Sequence, residues 1–182
     1  MRSEELPDPT ITAPTDVVIR NSATCVCGSD LWEYRGLNPV PQPTPFGHEY
    51  CGVVEAVGTE VTSVEEGDFV IGSFFASDGT CPNCRNGFQT SCLHREFMVG
   101  CQAELVRVPM ADGTLVAVPG GPDAEHLADY MALSDVMGTG WFAADAANVS
   151  PGMTVAVVGD GAVGQCAVLA AREMGAERII AM

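Results

Sequence analysis

The sequence predicts a mixed α/β protein in which a β-rich domain is followed by the first part of a βαβ unit. Short β-prone stretches, separated by glycine and proline, occupy most of the chain from Asp16 to Val118. From Met153 onwards, the stretch MTVAVVGDGAVGQCAVLAAREMGAERIIAM reads as strand, glycine turn, helix and strand. Many short strands followed by one such unit indicate a β domain joined to the start of a nucleotide-binding domain.

The β-rich part divides into segments at its glycine, proline and acidic turns. We expect a strand at 16–25, an extended loop marked by Pro39, Pro41, Pro43 and Pro45, and a β-rich stretch at 47–61. A turn at 65–68 precedes a predicted strand, FVIGSFF, and residues 78–92 form a polar, irregular lobe. Two further short strands are expected at 103–108 and 115–118, around a turn at Asp112-Gly113.

An alanine-rich segment, DAEHLADYMALSDVMGTGWFAADAA, separates the two parts of the chain. Its apolar residues recur three and four positions apart, which predicts helix. Gly138 and Gly140 interrupt the pattern, so we expect two helical pieces broken at these glycines. Ser150-Pro151-Gly152 then forms a turn. We therefore predict a first domain at 1–147 and a second that begins at 148 and runs to 182.

Composition excludes several classes of function. The net charge is −16 and all eight basic residues are arginines, so the surface should repel nucleic acid and anionic membranes. This bias fits either a GC-rich genome or adaptation to salt. No apolar run reaches the length of a membrane span, and the N-terminus resembles no secretion signal, so we expect a soluble, cytoplasmic protein. Eight cysteines in such a chain indicate metal binding or catalysis more than disulfides.

A glycine motif lies in the turn of the C-terminal βαβ stretch. Gly159, Gly161 and Gly164 form the pattern G-x-G-x-x-G between a strand and a helix, the context that dinucleotide binding requires. The predicted cofactor-binding residues are these three with Ala162 and Val163, and the cofactor is NAD or NADP. The residue that selects between them is expected beyond Met182. The alternative is a glycine-rich turn of another α/β protein.

The polar lobe carries closely spaced cysteines. Cys81, Cys84 and Cys92 offer three soft ligands, and structural zinc takes four in a closed tetrahedron. Asp78 completes the spacing D-x2-C-x2-C-x7-C, and His94 is the competing fourth ligand. The alternative of three free thiols in a polar loop would be an oxidation liability.

A second ligand set is scattered along the chain. Cys25 and Cys27 lie at a strand end and His48 follows the proline loop, which together offer a thiolate and an imidazole for catalytic zinc. The third ligand should be a carboxylate or His126, and Asp135 is the best placed. Glu49 is a rival, but neighbouring residues on a strand point to opposite faces, so Glu49 and His48 reach one metal only through a bent backbone.

These motifs resemble those of the zinc-dependent medium-chain dehydrogenase/reductases, which include alcohol, sorbitol, threonine and glutathione-independent formaldehyde dehydrogenases. CGSD, GHE, the cysteine lobe, LSDVMGTG and GDGAVG occur in the order and spacing of that family. The resemblance implies that Cys27, not Cys25, binds catalytic zinc with His48 and Asp135, and that Glu49 is a carboxylate near the metal. It also implies that Ser29 starts a proton relay and that Thr139 and Val163 pack against the nicotinamide.

The resemblance further implies a GroES-like zinc catalytic domain at 1–147 and the start of a Rossmann domain at 148–182. The expected activity is hydride transfer between an alcohol or carbonyl substrate and NAD(P), with catalytic and structural zinc and homo-oligomerisation of the full-length form. Four features depart from the family: Trp32 replaces a relay histidine, Asp78 replaces a lobe cysteine, and an N-terminal strand and the C-terminal return are expected to be missing.

Two other functions stay open at this point. One is a zinc-free quinone reductase of the same superfamily, against which the joint presence of Cys27, His48 and Asp135 argues. The other is a non-catalytic zinc-binding fragment of a longer dehydrogenase gene.

Overall fold

The computed structural model describes residues 2–40 and 42–182. Met1 and Pro41 lie outside the described residues, so the predicted proline loop is described except at Pro41. The chain forms two compact units that divide between Met131 and Ala132. The predicted functional boundary between 147 and 148 stays a prediction.

The first unit is built on a five-stranded antiparallel sheet with the order β6-β1-β2-β3-β7. The strands of this unit are β1 Val17–Cys25, β2 Glu49–Val57, β3 Phe69–Gly72, β4 Phe75–Ala76, β5 Glu96–Phe97, β6 Leu105–Val108 and β7 Leu115–Ala117. At one end of the β1–β2 ladder, Cys25 pairs with Glu49 and Thr24 with Tyr50. This register brings the segment after β1 beside the segment before β2.

Three of the predicted strands form in an arrangement that the sequence analysis did not give. The stretch FVIGSFF is interrupted at Ser73-Phe74, and Phe75–Ala76 pairs with β5 in a separate two-stranded sheet. The strands predicted on either side of Asp112-Gly113 exist, but they lie at opposite edges of the five-stranded sheet.

Between those two strands runs a 3-10 helix, Ala111–Gly113. Asp112 accepts hydrogen bonds from the backbone and hydroxyl groups of Thr62 and Ser63, at 2.7 to 3.2 Å. Although desolvation raises the pKa of Asp112, these hydrogen bonds outweigh it and bring the value down to about 2. Asp112 therefore anchors the loop that holds Thr62 and Ser63.

The core of the first unit depends on close packing between strands. Tyr50, Phe69, Ile19, Val17 and Val70 are almost fully buried, as are several neighbouring aliphatic side chains. A Cβ atom on Gly52 would lie 2.0 Å from the carbonyl oxygen of Arg20, so β1 and β2 approach closely only because this residue is glycine.

The second unit contains the predicted βαβ arrangement. β8 Thr154–Val157 and β9 Arg178–Ala181 are parallel, with α5 Ala162–Glu173 between them in sequence. The sequence prediction of strand, glycine turn, helix and strand is confirmed, as is the mixed α/β class.

The alanine-rich segment forms two helical pieces, as predicted, but not with the predicted break. α3 spans Leu127–Leu133 and α4 spans Val136–Ala146, so the break lies at Ser134-Asp135 and both Gly138 and Gly140 are inside α4. Gly140 instead permits close helix packing, because a Cβ there would lie 2.6 Å from the backbone nitrogen of Ala167 in α5. Among the described residues, no helix combines the length and apolarity needed to cross a membrane.

Candidate metal centres

The end of the β1–β2 ladder gathers three side chains that could bind a metal. Cys27 follows β1, His48 precedes β2 and Glu49 is the first residue of β2, and their ligand atoms lie within 4.8 Å of one another. Glu49 is 1% exposed, and Cys27 and His48 are partly buried. Cys25 is exposed and outside this group. We call Cys27, His48 and Glu49 the ladder-end cluster.

His48 and Glu49 reach the same point although they are adjacent. The sequence argument allowed the two to reach one metal only through a bent backbone, because neighbouring residues of a strand point to opposite faces. His48 lies outside β2, and Gly47 before it has a φ of 87°, a left-handed conformation that glycine adopts readily. The His48 Nε2 atom is 4.0 Å from Glu49 Oε1.

Asp30 contacts the ladder-end cluster and was not identified by the sequence analysis. One carboxylate oxygen, Oδ1, is 3.0 Å from His48 Nδ1, and the other, Oδ2, accepts the backbone N–H of Cys27 at 2.9 Å. Its side chain is 8% exposed. Asp30 thus connects two residues of the ladder-end cluster and directs His48 Nε2 away from itself. The signal was the acidic residue three positions after Cys27, in the first turn of α1 Asp30–Tyr34.

A second cluster, the cysteine lobe, unites Asp78, Cys81, Cys84 and Cys92, whose ligand atoms also lie within 4.8 Å of one another. The Cys81 sulfur is 3.5 Å from that of Cys84 and 4.0 Å from that of Cys92. The short helix α2 Pro82–Arg85 carries Cys84 and begins just after Cys81. A hydrogen bond with the Leu93 backbone lowers the pKa of Cys81 to about 7, whereas desolvation raises the pKa of Cys84 to about 12.

Of the two candidate fourth ligands of the lobe, Asp78 lies with the thiols. His94 instead contacts Asp78, with 2.5 Å between His94 Nδ1 and Asp78 Oδ2, and its side chain is 68% exposed. Backbone hydrogen bonds, chiefly from Cys81, together with His94, hold the pKa of Asp78 well below its usual range. The hydrogen bond that Asp78 accepts from His94 in turn raises the pKa of His94.

The remaining predicted polar residues are placed as follows. Ser29 is exposed and directly precedes α1. His126 is exposed, with Nδ1 2.9 Å from Asp129, and this hydrogen bond raises the pKa of His126. In the second unit, Asp135 immediately precedes α4 and its Oδ1 accepts the Thr139 hydroxyl at 2.8 Å.

The glycine turn has the conformation that its pattern suggests. Gly159 has a φ of 103°, which favours glycine, and Gly161 directly precedes α5. A Cβ on Gly164 would lie 1.9 Å from the Gly159 carbonyl oxygen, whereas one on Gly161 would meet no described atom within 4 Å. Gly161 thus leaves open space at the start of the helix. Ala162 and Val163 form the first helical turn, and Val163 is 37% exposed.

Comparison with known families settles the relationship of the chain. The family model of the alcohol dehydrogenase GroES-like domain matches residues 13–120, which include the ladder-end cluster and the cysteine lobe. The chain belongs to this family. The resemblance drawn from the sequence motifs is therefore confirmed at the level of the family and its fold.

Relatives of this alcohol dehydrogenase family cover nearly the whole chain. A zinc-type alcohol dehydrogenase B of Aspergillus flavus is 37% identical over 191 residues, covering 98% of this chain and 44% of that protein. A probable zinc-binding alcohol dehydrogenase of Mycobacterium tuberculosis is 37% identical over 188 residues, with 100% of this chain and 48% of that protein covered.

A solved structure gives the same relationship. The alcohol dehydrogenase TADH of Thermus sp. ATN1 superposes with a TM-score of 0.88 at 33% identity, covering 98% of this chain and 53% of that one. The chain thus spans about half the length of the relatives that it matches.

Proposed function

We propose that this chain is the zinc-binding part of an NAD(P)-linked oxidoreductase that transfers hydride between an alcohol and its carbonyl product. The observation that carries the proposal is the ladder-end cluster, with Asp30 joining Cys27 to His48. Zinc prefers thiolate and imidazole ligands. A histidine that binds zinc usually donates its other ring N–H to a carboxylate, as His48 could do to Asp30. The substrate would be a small alcohol, aldehyde or ketone.

Cys27, His48 and Asp135 are the proposed protein ligands of catalytic zinc, and Glu49 is the proposed nearby carboxylate. One thiolate and one carboxylate balance the charge of Zn²⁺, which favours an electrophilic metal. Thr139 supports the choice of Asp135, because its hydroxyl donates to that carboxylate and holds it at the start of α4. In the cysteine lobe, Asp78, Cys81, Cys84 and Cys92 are the proposed ligands of a structural zinc.

Zinc bound at the ladder-end cluster would polarise the substrate oxygen and make loss of the alcohol proton easier. The chain's own groups would bind and move that proton. Ser29, exposed beside Asp30, is the proposed hydroxyl that accepts it. Trp32 occupies the family's relay-histidine position, so proton exit would use water or a cofactor hydroxyl.

The glycine turn is the proposed binding site for NAD or NADP. Gly161 has no Cβ, and the space beside it is open. A pyrophosphate could therefore approach the start of α5, where backbone N–H groups favour anions. Gly159, Ala162 and Gly164 shape the turn. Thr139 and Val163 are the proposed contacts of the nicotinamide.

The test is NAD⁺- or NADP⁺-dependent oxidation of small alcohols by a full-length form of the protein, followed as the absorbance of the reduced cofactor; the 182-residue chain by itself should turn over poorly or not at all. The proposal expects turnover that is abolished by a chelator, restored by Zn²⁺ and lost in Cys27→Ser. Turnover that resists the chelator and survives Cys27→Ser would favour a quinone-reductase-like function. Stoichiometric zinc binding without any cofactor reduction would favour the non-catalytic alternative.

The assignment of Asp135 has its own test. In Asp135→Ala, zinc at the ladder-end cluster should be lost or weakened while zinc in the lobe is retained. The assignment is wrong if that zinc survives Asp135→Ala but disappears in Glu49→Ala or His126→Ala.

A further inference from the structure

The hydrogen-bonded ladder that positions the ladder-end cluster stops before it reaches the proposed zinc ligands. The last β1–β2 pair is Cys25 with Glu49. Cys27 lies two residues beyond that end of β1, and His48 lies one residue before the start of β2. Both proposed ligands are therefore in segments that the sheet itself does not fix.

Gln102 contacts the last two paired residues of β1, Thr24 and Cys25, and also the segment that precedes His48. Its side-chain amide donates to the Cys25 carbonyl at 2.7 Å, and its side-chain oxygen accepts the Thr24 hydroxyl at 2.9 Å. Its backbone N–H donates to the Phe46 carbonyl at 3.0 Å. Both polar atoms of the Gln102 side chain therefore bind the end of β1, whereas its backbone N–H binds the segment before His48.

The aliphatic part of Gln102 also packs on the turn before His48. A Cβ on Gly47 would lie 2.6 Å from Gln102 Cγ and 3.2 Å from its backbone nitrogen. Cys101, the residue before Gln102, also binds this turn, because its N–H donates to the Gly47 carbonyl at 3.1 Å. Gly47 thus meets the 101–102 segment through both its carbonyl and its Cα.

The segment that carries Gln102 is itself held to β1. Asn21 donates its side-chain amide to the Cys101 carbonyl at 2.9 Å and to the Ala103 carbonyl at 2.8 Å. The Asn21 backbone N–H donates to the Glu104 carbonyl at 2.9 Å. The backbone on both sides of Gln102 is therefore hydrogen-bonded to Asn21 of β1.

We propose that Gln102 is a positioning residue for catalytic zinc, which holds the segment before His48 against the end of β1 and so fixes the distance between His48 and Cys27, two residues after that end. It would touch neither substrate nor metal, and would act through residues near the ligands, Cys25 on one side and Phe46 and Gly47 on the other. Groups that orient metal ligands without binding the metal typically change its affinity about 10-fold to 100-fold. This inference rests on the proposed zinc function of the ladder-end cluster.

The test compares three variants by Co²⁺ binding to the whole chain, with a competing chelator and the visible absorption spectrum as readouts. Gln102→Glu keeps the size and the acceptor but places an oxygen against the Cys25 carbonyl, where the amide donated. Gln102→Met keeps the aliphatic stem and removes both polar atoms. Gln42→Glu, at an exposed residue, is the control for the added negative charge.

In the unsubstituted chain we expect two Co²⁺ ions. In Gln102→Glu and Gln102→Met, one ion should bind about 10-fold or more weakly and its absorption bands should shift. The Co²⁺ of the cysteine lobe should be unchanged in the same sample, and Gln42→Glu should match the unsubstituted chain.

Three results would contradict the inference. Wild-type affinities and spectra in both Gln102 variants would show that the connection has no effect on the site. Loss of both ions together would show a general structural role instead of a local one. If the unsubstituted chain bound Co²⁺ only in the lobe, the proposed function would fail first and the role of Gln102 with it.

Discussion

Substitution of Asp30 by asparagine is the most informative single change near the ladder-end cluster. Asparagine has the size of aspartate, so the packing is preserved while the charge and one acceptor are lost. In the native chain both carboxylate oxygens accept, one from His48 Nδ1 at 3.0 Å and one from the Cys27 N–H at 2.9 Å. Asparagine has one oxygen and one NH2 group, so either orientation of the amide places a donor against a donor.

The size of the effect follows from this geometry. The Asp30 side chain is only 8% exposed, so water cannot easily replace the lost partner. Hydrogen bonds to a charged group contribute about 1.5–3 kcal/mol, and removal of a histidine's carboxylate partner usually weakens metal binding about 10-fold to 100-fold. We therefore expect Asp30→Asn to weaken Zn²⁺ at the ladder-end cluster within this range, about 1.4–2.7 kcal/mol.

The assay is a titration of Zn²⁺ against a chelator of known affinity, which separates a weak site from a strong one. Zinc in the cysteine lobe is the internal control, and Asp145→Asn makes the same chemical change at an exposed position of α4 that belongs to neither cluster. If Asp30→Asn retains two zinc ions with unchanged affinities, the proposed support of His48 by Asp30 is refuted.

Three further predictions concern stability and cofactor binding. Gly52→Ala would place a Cβ 2.0 Å from the Arg20 carbonyl oxygen. It should lower the free energy of unfolding, measured by urea denaturation, by about 2 kcal/mol or more. A change below about 0.5 kcal/mol would contradict this packing. The pKa of Asp112 is about 2 in the folded chain and about 3.9 in the unfolded chain. The Asp112 carboxylate therefore contributes fully to the free energy of unfolding above about pH 3.9, and this contribution is lost as the pH falls through 2. Asp112→Asn should accordingly be less stable than the native chain at pH 7, and the difference should be much smaller at pH 2; an equal difference at both pH values would be evidence against this role of Asp112. Gly164→Ala would place a Cβ 1.9 Å from the Gly159 carbonyl oxygen, so NAD(P) binding measured by calorimetry should be lost, and unchanged binding would exclude the glycine turn as the cofactor site.

Local signals in the sequence were sufficient for much of the fold. The strand at 16–25 and the βαβ order from Met153 onwards were predicted because their apolar periods and turn residues agree with each other. The helix break was misplaced because glycine was interpreted only as a helix breaker. Gly140 instead meets the backbone of α5 inside a continuous helix, a packing role that depends on a distant segment.

The candidate site shows the same limit. Cys27, His48 and Asp78 could be selected from residue type and spacing, since metal ligands have few chemical alternatives. Asp30 and Gln102 could not be selected in this way, because their roles depend on which backbone groups they meet. Gln102 is more than fifty residues from His48 in sequence, and contacts formed only in the fold bring it beside Phe46 and Cys25.

Metal analysis of purified variants most directly tests the proposal that the chain holds zinc in two independent sites. The unsubstituted chain should contain close to two zinc ions per molecule. Cys81→Ser with Cys84→Ser should remove one of them, and Cys27→Ser with His48→Ala should remove the other. A native content near one zinc ion, unchanged by Cys27→Ser with His48→Ala, would contradict the proposed catalytic metal centre.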